Sequence, residues 1–296
     1  MSLKGLSTAE IFERAVDGER RALGRLLTYV ERGGEEADVV TELAHPASGT
    51  AHVVGITGAP GAGKSTLTGQ LTRLLPERGI RPSVLAVDPS SPLTGGAILG
   101  DRIRMDDIAG DTAFIRSMAT RGHSGGLALA VPGAVRVFDA AGFDPVIIET
   151  VGVGQVEVDV AGAADTTVVV VTPGWGDAVQ ANKAGLLEVA DVFVVNKADR
   201  PGANDARRDL ELMLDLSHVT GQEHDSGYRP PIVMSSALDG TGAQEVWDAI
   251  EAHRLHLENT GLLSARRDGR LRLEVANRVE QLMAVRSKAA LESPDG

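Results

Sequence analysis

The run Gly58-Ala59-Pro60-Gly61-Ala62-Gly63-Lys64-Ser65-Thr66 constrains this chain more than any other stretch. It matches the pattern G-x-x-x-x-G-K-[ST]. A strand-length apolar run, "HVVGITG" (52–58), leads into it, and Leu67, Leu71, Leu74 and Leu75 follow at helical spacing. A glycine loop between a strand and a helix turns successive backbone N–H groups toward one point, and the helix N-terminus adds partial positive charge there. Phosphate oxygens fit such a point. Lys64 is expected to reach the β- and γ-phosphates of a nucleotide, and the Ser65 hydroxyl to hold Mg²⁺.

The loop demands a sheet around it, and the sequence supplies one. Further apolar runs are "PSVLAVD" (82–88), "PVIIET" (145–150), "TTVVVVT" (166–172), "DVFVVNK" (191–197) and "PIVMSS" (231–236). They are continuous rather than alternating, as strands covered on both faces should be. Helical segments fall between several of them. The expected class is α/β, with a mostly parallel sheet and helices on both faces. Before position 49 the pattern is helical. Ser7-Thr8-Ala9-Glu10 has the form of a capping box, and Ile11, Ala15, Leu23, Leu26, Leu27 and Val30 follow as one helix that Gly33-Gly34 ends. Val39, Val40 and Leu43 suggest a second helix, stopped near Pro46. After about 240 the chain is helical again. Val246, Ile250 and Leu257 line one face, and Gly261 stops that helix. A basic stretch with Arg266, Arg267, Arg270 and Arg272 then leads to a last amphipathic helix carrying Val275, Val279 and Leu282. The expected division is 1–48, 49–261 and 262–296.

Two more motifs sit at strand tips. Asn196-Lys197-Ala198-Asp199 ends an apolar run in the form N-K-x-D. Asp199 can accept from both the ring N–H and the exocyclic amine of guanine. Adenine lacks that donor pair and would leave the carboxylate unpaired, so the ligand expected is GTP or GDP. Asn196 either ties the loop together or faces the base, and the Lys197 stem covers the base plane. Ser235-Ser236-Ala237 fits a second loop on the guanine side, with the Ala237 N–H directed at the base oxygen. In "VIIETVGVGQ" (146–155) a buried strand delivers Glu149 to its own tip. Beside a triphosphate that acid would hold Mg²⁺, directly or through water, and the Gly152 N–H could sense the γ-phosphate. Asp88 and Asp101 could complete the Mg²⁺ shell, since that ion prefers oxygen ligands and retains waters.

Composition narrows the partners. Asp plus Glu is 41 and Lys plus Arg is 29, giving a net charge of −12. That balance has no global field for a polyanion, so nucleic acid is not expected. The chain has no cysteine, which excludes disulfides and Cys-ligated metals. The start "MSLKGLSTAE" lacks an apolar signal stretch, and no run approaches the roughly 20 apolar residues a bilayer requires. A cytoplasmic protein without a membrane partner is expected.

Taken together, "GAPGAGKST", "VDPSSPLTGGAILGDRIRM", "MATRGHSGGL", "IIETVGVGQ", "PGWGDAVQANKAG" and "VVNKAD" resemble the MeaB/ArgK-like P-loop GTPases. These are accessory proteins of cobalamin-dependent methylmalonyl-CoA mutase and include the methylmalonic aciduria type A protein. The resemblance runs over roughly 7–290. It implies a helical N-terminal extension, a central GTPase domain and a C-terminal dimerisation arm that makes a homodimer. It also implies slow GTP hydrolysis stimulated by the mutase, gating of adenosylcobalamin loading and protection of the mutase. By motif match Lys64, Ser65, Asp88, Asp101 and Glu149 carry over as phosphate and Mg²⁺ residues. Asn196, Lys197 and Asp199 carry over as guanine-reading residues. The stretch 173–185 corresponds to a partner-responsive loop, in which Lys183 is a candidate for stabilising transition-state charge. The tail "SKAALESPDG" is shorter than the resemblance leads one to expect.

Two other functions share the phosphate loop. A nickel-delivering maturation GTPase normally brings Cys or His ligands, and this chain has neither cysteine nor a His cluster. An ATP-dependent kinase of a transport protein is at odds with N-K-x-D. Arg102, Arg104 and Arg121 are loop candidates for charge stabilisation, and none stands out as an arginine finger.

Overall fold

Every one of the six apolar runs forms a strand, and a seventh strand joins them. The computed structural model describes residues 3–88, 113–119, 130–150, 162–174, 188–219 and 227–291. The strands are β1 (Val53–Thr57), β2 (Ser83–Asp88), β3 (Phe114–Ala119), β4 (Val146–Thr150), β5 (Thr166–Val171), β6 (Val192–Asn196) and β7 (Ile232–Ser235). They form one sheet in the order β3-β2-β4-β1-β5-β6-β7, with every pairing parallel. All the carboxyl ends therefore share one edge. β1 lies between β4 and β5, where the connections diverge to the two halves of the sheet. Ligands of open α/β sheets bind outside the carboxyl ends at such a point.

The helices are α1 (Thr8–Val16), α2 (Arg20–Arg32), α3 (Glu35–Ala44), α4 (Lys64–Glu77), α5 (Ala130–Ala140), α6 (Ala203–Val219), α7 (Ala243–Thr260) and α8 (Leu262–Leu291). On one face of the sheet Val54, Ile56, Ile147, Val168 and Val194 pack against Leu67, Leu71 and Leu75 of α4 and Val246, Trp247 and Ile250 of α7. On the other face, Val169, Val171, Phe193 and Val195 pack against Leu210 and Leu214 of α6. Beside them Val53, Leu85, Val87, Val146 and Ile148 meet Val137 and Phe138 of α5. The same apolar cluster continues into Leu23, Leu26, Leu27 and Val30 of α2. Gly133 permits that close approach, since a Cβ there would lie 2.8 Å from Val30 Cγ1. The N-terminal helices thus add a layer over α5 and share its core.

Two sequence expectations change. The capping box is present, with Ser7 N–H donating to Glu10 Oε2 at 2.7 Å and Glu10 N–H to Ser7 Oγ at 3.3 Å. The single helix expected from Ile11 to Val30 is two, because Gly18 takes φ 93° and breaks it after Val16. The basic stretch does not precede the last helix. Arg266, Arg267, Arg270 and Arg272 lie inside α8, which begins directly after Gly261.

That placement anchors α8 to the amino-terminal edge of the sheet by charge. Arg266 pairs with Asp191 at 3.0 Å and Arg267 with Asp165 at 2.8 Å. Arg270 also bonds Asp165, Glu274 takes both guanidinium nitrogens of Arg136 on α5, and Arg278 bonds Asp38 on α3. Asp165 is fully buried and accepts the Val53 N–H at 2.9 Å. Burial pushes its pKa up, but the Arg267 hydrogen bond and the charges of Arg270 and Arg267 more than offset that, leaving it at about 2. His52 lies beside it, and burial pushes its pKa down to about 4.

The sign of the pH effect follows. An unfolded histidine takes its proton near 6.5, whereas folded His52 refuses it until about 4. Stability therefore falls as pH drops through that window, by about 3 kcal/mol for this group. Asp165 adds a further loss between 3.8 and about 2. Urea unfolding at about pH 7 and about pH 4.5 should expose the first loss, and His52→Gln should flatten it. An equal pH slope in the variant would remove His52 as the cause.

Candidate nucleotide site

The phosphate loop is wedged between two neighbours. Gly58 takes φ 136°, and a Cβ there would lie 2.1 Å from Val170 O on β5. Gly63 takes φ 93°, and a Cβ there would lie 2.2 Å from Asn196 Nδ2. Both glycines are thus required by close approach as well as by backbone conformation. Lys64 opens α4 and is 6% exposed. Its ammonium donates to Gly58 O at 2.6 Å and Ala59 O at 3.2 Å, so the charge is held over the loop by the loop's own carbonyls. Pro60 and Gly61 form the exposed tip, Ala62 is buried, and Thr66 is partly buried on the first turn of α4.

Glu149 is fully buried on β4, at the register level of Ile56 on β1 and Ala86 on β2. Its side chain lies on the α4 side of the sheet, where Ser65 Oγ donates to Glu149 Oε1 at 2.5 Å. A strand carries an acid to its tip here in order to meet the helix that follows the phosphate loop. A hydroxyl and a carboxylate at that distance are the hard oxygen donors Mg²⁺ takes, and such a site usually includes waters and substrate phosphate as well. Asp88 ends β2 at the same carboxyl edge, though its side chain lies outside the described residues. Asp101, Gly152 and Lys183 also lie outside them, as do Arg102, Arg104 and Arg121. No cluster of three or more candidate metal ligands occurs among the described residues.

The N-K-x-D turn leaves β6 next to the loop. Asn196 is 2% exposed and works as a bridge. Its Nδ2 donates to Ala62 O at 2.7 Å, and its Oδ1 accepts the Ala237 N–H at 2.9 Å. Of the two roles expected for Asn196, the structure thus has it tying loops together. Lys197 takes φ 59° and lays its ammonium on Gly61 O at 2.7 Å, so its stem crosses from the base side to the phosphate loop. Asp199 is exposed at the mouth of this turn. Ser235 ends β7, its carbonyl accepting Ala198 N–H and its hydroxyl donating to Thr241 O at 3.0 Å. Ser236 N–H closes the same turn on Thr241 O at 2.9 Å.

The Ala237 N–H, expected to face a base oxygen, donates here to Asn196 Oδ1, as a buried amide beside a buried carbonyl group does. A residue the sequence did not flag also joins the site. Gln70, in the second turn of α4, donates to Ala237 O at 3.0 Å and links the phosphate-loop helix to the base loop. Nothing in the local pattern marks it, because its partner is 167 residues away.

A phosphate loop after the central strand, with an N-K-x-D turn two strands along the same edge, defines the P-loop GTPase class. The comparisons with known proteins agree and go one step further. The crystal structure of an LAO/AO transport system kinase superimposes with a TM-score of 0.76 at 30% identity, covering 96% of this chain and 87% of that one. The chain belongs to the family described as methylmalonyl-CoA mutase-associated GTPase MeaB, whose model matches residues 23–292. A Pyrococcus horikoshii protein named as a GTPase is 47% identical over 283 residues, 95% of this chain and 89% of its own. The mouse mitochondrial methylmalonic aciduria type A homolog is 34% identical over 306 aligned positions, 94% of this chain and 72% of its own.

Proposed function

We propose that the protein is a Mg²⁺-dependent GTPase that hydrolyses GTP slowly alone and serves a cobalamin-dependent acyl-CoA mutase, methylmalonyl-CoA mutase first among them. In this reading it gates adenosylcobalamin loading and protects the mutase. The observation that carries the nucleotide part is the Asn196 bridge, which joins phosphate loop, N-K-x-D turn and base loop into one unit. The partner part is supported by membership of a mutase-associated family. Lys64 would turn from Gly58 O and Ala59 O to the phosphates. Ser65 and Glu149, with Asp88 and Asp101, would hold Mg²⁺, and the Gly152 N–H would meet the γ-phosphate. Asp199 would read the base edge, and the Lys197 stem would cover its plane, with Asn196, Ser235, Ser236 and Ala237 as the frame. Lys183 is the candidate for stabilising transition-state charge once a partner engages 173–185. Such catalysis is positioning plus charge stabilisation, so a missing cationic group makes the lone enzyme slow.

The test is steady-state GTP hydrolysis with and without the mutase of the same organism. Stimulation of about tenfold or more is expected, well inside what one supplied cation achieves in related chemistry. Equal rates, with GTP binding intact, would overturn the partnership. A second reading, phosphate transfer to a transport-system protein, draws on what the solved relative is called. It requires ATP use and a phosphoprotein product, and a strict preference for GTP would end it.

The reading includes a homodimer built on the 262–296 arm, beside the 1–48 and 49–261 parts. Its support lies in how α8 is used. The helix holds to its own chain through charge, while Leu271, Val275, Val279 and Leu282 remain substantially exposed at spacings of four, four and three. An apolar stripe of that kind fits a second helix. Val275→Glu with Val279→Glu should convert a dimer to a monomer by light scattering while the far-UV circular dichroism stays that of the folded chain. A wild-type monomer at micromolar concentration would sink the idea.

A further inference from the structure

At the edge of the sheet opposite the nucleotide, five buried polar groups form a line that the reaction does not use. Thr166 Oγ1, at the start of β5, is 2.8 Å from His52 Nε2 and 2.8 Å from His253 Nδ1. Beyond His253, on α7, its Nε2 lies 3.2 Å from Asp191 Oδ1. Beyond His52, just before β1, its Nδ1 lies 3.8 Å from Asp165 Oδ2 and has no hydrogen-bond partner among the described residues. Both histidines are 1% exposed.

A hydroxyl has one proton, so it cannot donate to both rings. The direction of the line follows from its ends. His253 must carry hydrogen on Nε2, since a bare nitrogen would repel Asp191. When neutral, it then accepts from Thr166 at Nδ1. The Thr166 oxygen accepts in turn from His52 Nε2–H, which leaves His52 Nδ1 bare against Asp165. The one unfavourable link in the line is therefore the one that lacks a hydrogen bond in the structure.

We propose that His52, Thr166 and His253 form a one-proton relay whose hydrogen-bond direction reverses when a proton is taken up. The proton enters at the bare Nδ1 of His52. The Nε2 proton of His52 passes to Thr166, and the Thr166 proton passes to His253 Nδ1. One proton is added, and His52 ends neutral with hydrogen on Nδ1, facing Asp165. The charge settles on His253. Asp191 lies closer to its ring and is paired with Arg266, whereas Asp165 already holds Arg267 and Arg270 of α8. The other groups facing the line leave this order intact. Asp144 accepts the His52 backbone N–H at 2.9 Å and pairs with Arg254 of α7, and the Tyr228 ring lies 4.7 Å from His253, with His256 beyond. The relay thus ties ionisation at α7 to the carboxylate that anchors α8.

The test is ring nitrogen NMR of histidine-labelled full-length protein across a pH titration. The expected result at high pH is the Nε2–H tautomer for both rings. As His253 becomes charged, His52 should switch to Nδ1–H at the same midpoint while staying neutral. Thr166→Ser should keep the switch, and Thr166→Val should abolish it. The wild-type and serine spectra decide the matter even if the valine variant fails to fold. His52 holding Nε2–H through the His253 transition, or charging together with it, would overturn the relay.

Discussion

Lys64→Ala is expected to lower GTP hydrolysis by roughly 10²–10³-fold, the scale seen when one preorganised charge is removed from a developing negative centre. The structure supplies a competing explanation, because Lys64 also holds the loop through Gly58 O and Ala59 O. Hydrogen bonds from a charged donor contribute about 1.5–3 kcal/mol each, so their loss loosens the loop as well. The two causes separate by measurement. A loosened loop weakens GDP and GTP binding alike and leaves the rate at saturating GTP near wild type. A missing charge lowers that saturated rate. Ser65→Ala should also lose hydrolysis, and if the hydrogen-bonded Ser65–Glu149 pair holds Mg²⁺ as proposed, that loss should respond to added Mg²⁺. A saturated rate in Lys64→Ala within about twofold of wild type would remove Lys64 from the chemistry, whatever it does for the loop.

The parts of this molecule legible in the sequence are those in which cause and effect lie close together along the chain. β1, β4, β5 and β6 are covered on both faces, so their apolar runs are unbroken and their ends fall within two residues of expectation. β3 was not legible. It carries Arg116 and Ser117, and its arginine is accommodated at the sheet edge by Glu31 of α2 at 2.6 Å, a residue 85 positions earlier. Arg20 of the same helix closes on Ala113 O just before the strand. The break between α1 and α2 was hidden because Ala15 and Leu23 keep helical spacing across Gly18. At the site, the motif residues could be named in advance, but not the direction of the Ala237 N–H or the part of Gln70. Both depend on how β6, β7 and α4 converge. The Asp165 and Asp191 anchors were invisible for the same reason, since their arginines arrive on α8 some 75 to 105 residues later.

Asp199→Asn is expected to change the base preference of the protein rather than its ability to bind phosphate. Asp199 is exposed at the end of a turn whose frame is made by other groups, namely Asn196 to Ala62 O, Lys197 to Gly61 O and Ala198 N–H to Ser235 O. The substitution should therefore leave the fold and the phosphate loop intact. A carboxylate offers two acceptors, which match the ring N–H and exocyclic amine of guanine. Asparagine offers one acceptor and one donor. It keeps the ring N–H, loses the amine, and matches xanthine, which has a carbonyl where guanine has the amine. Loss of one charged hydrogen bond, about 1.5–3 kcal/mol, corresponds to roughly 10- to 10²-fold weaker GTP binding. Xanthosine triphosphate should gain by a comparable factor, and hydrolysis of it should proceed near the wild-type rate for GTP, because Lys64, Ser65 and Glu149 are untouched. Competition binding with GTP and xanthosine triphosphate, with ATP as the control, reads both binding shifts in one experiment. Retained discrimination for GTP in the variant would mean that another loop reads the base, and the Asn196 bridge would then be a structural tie without a base-reading partner.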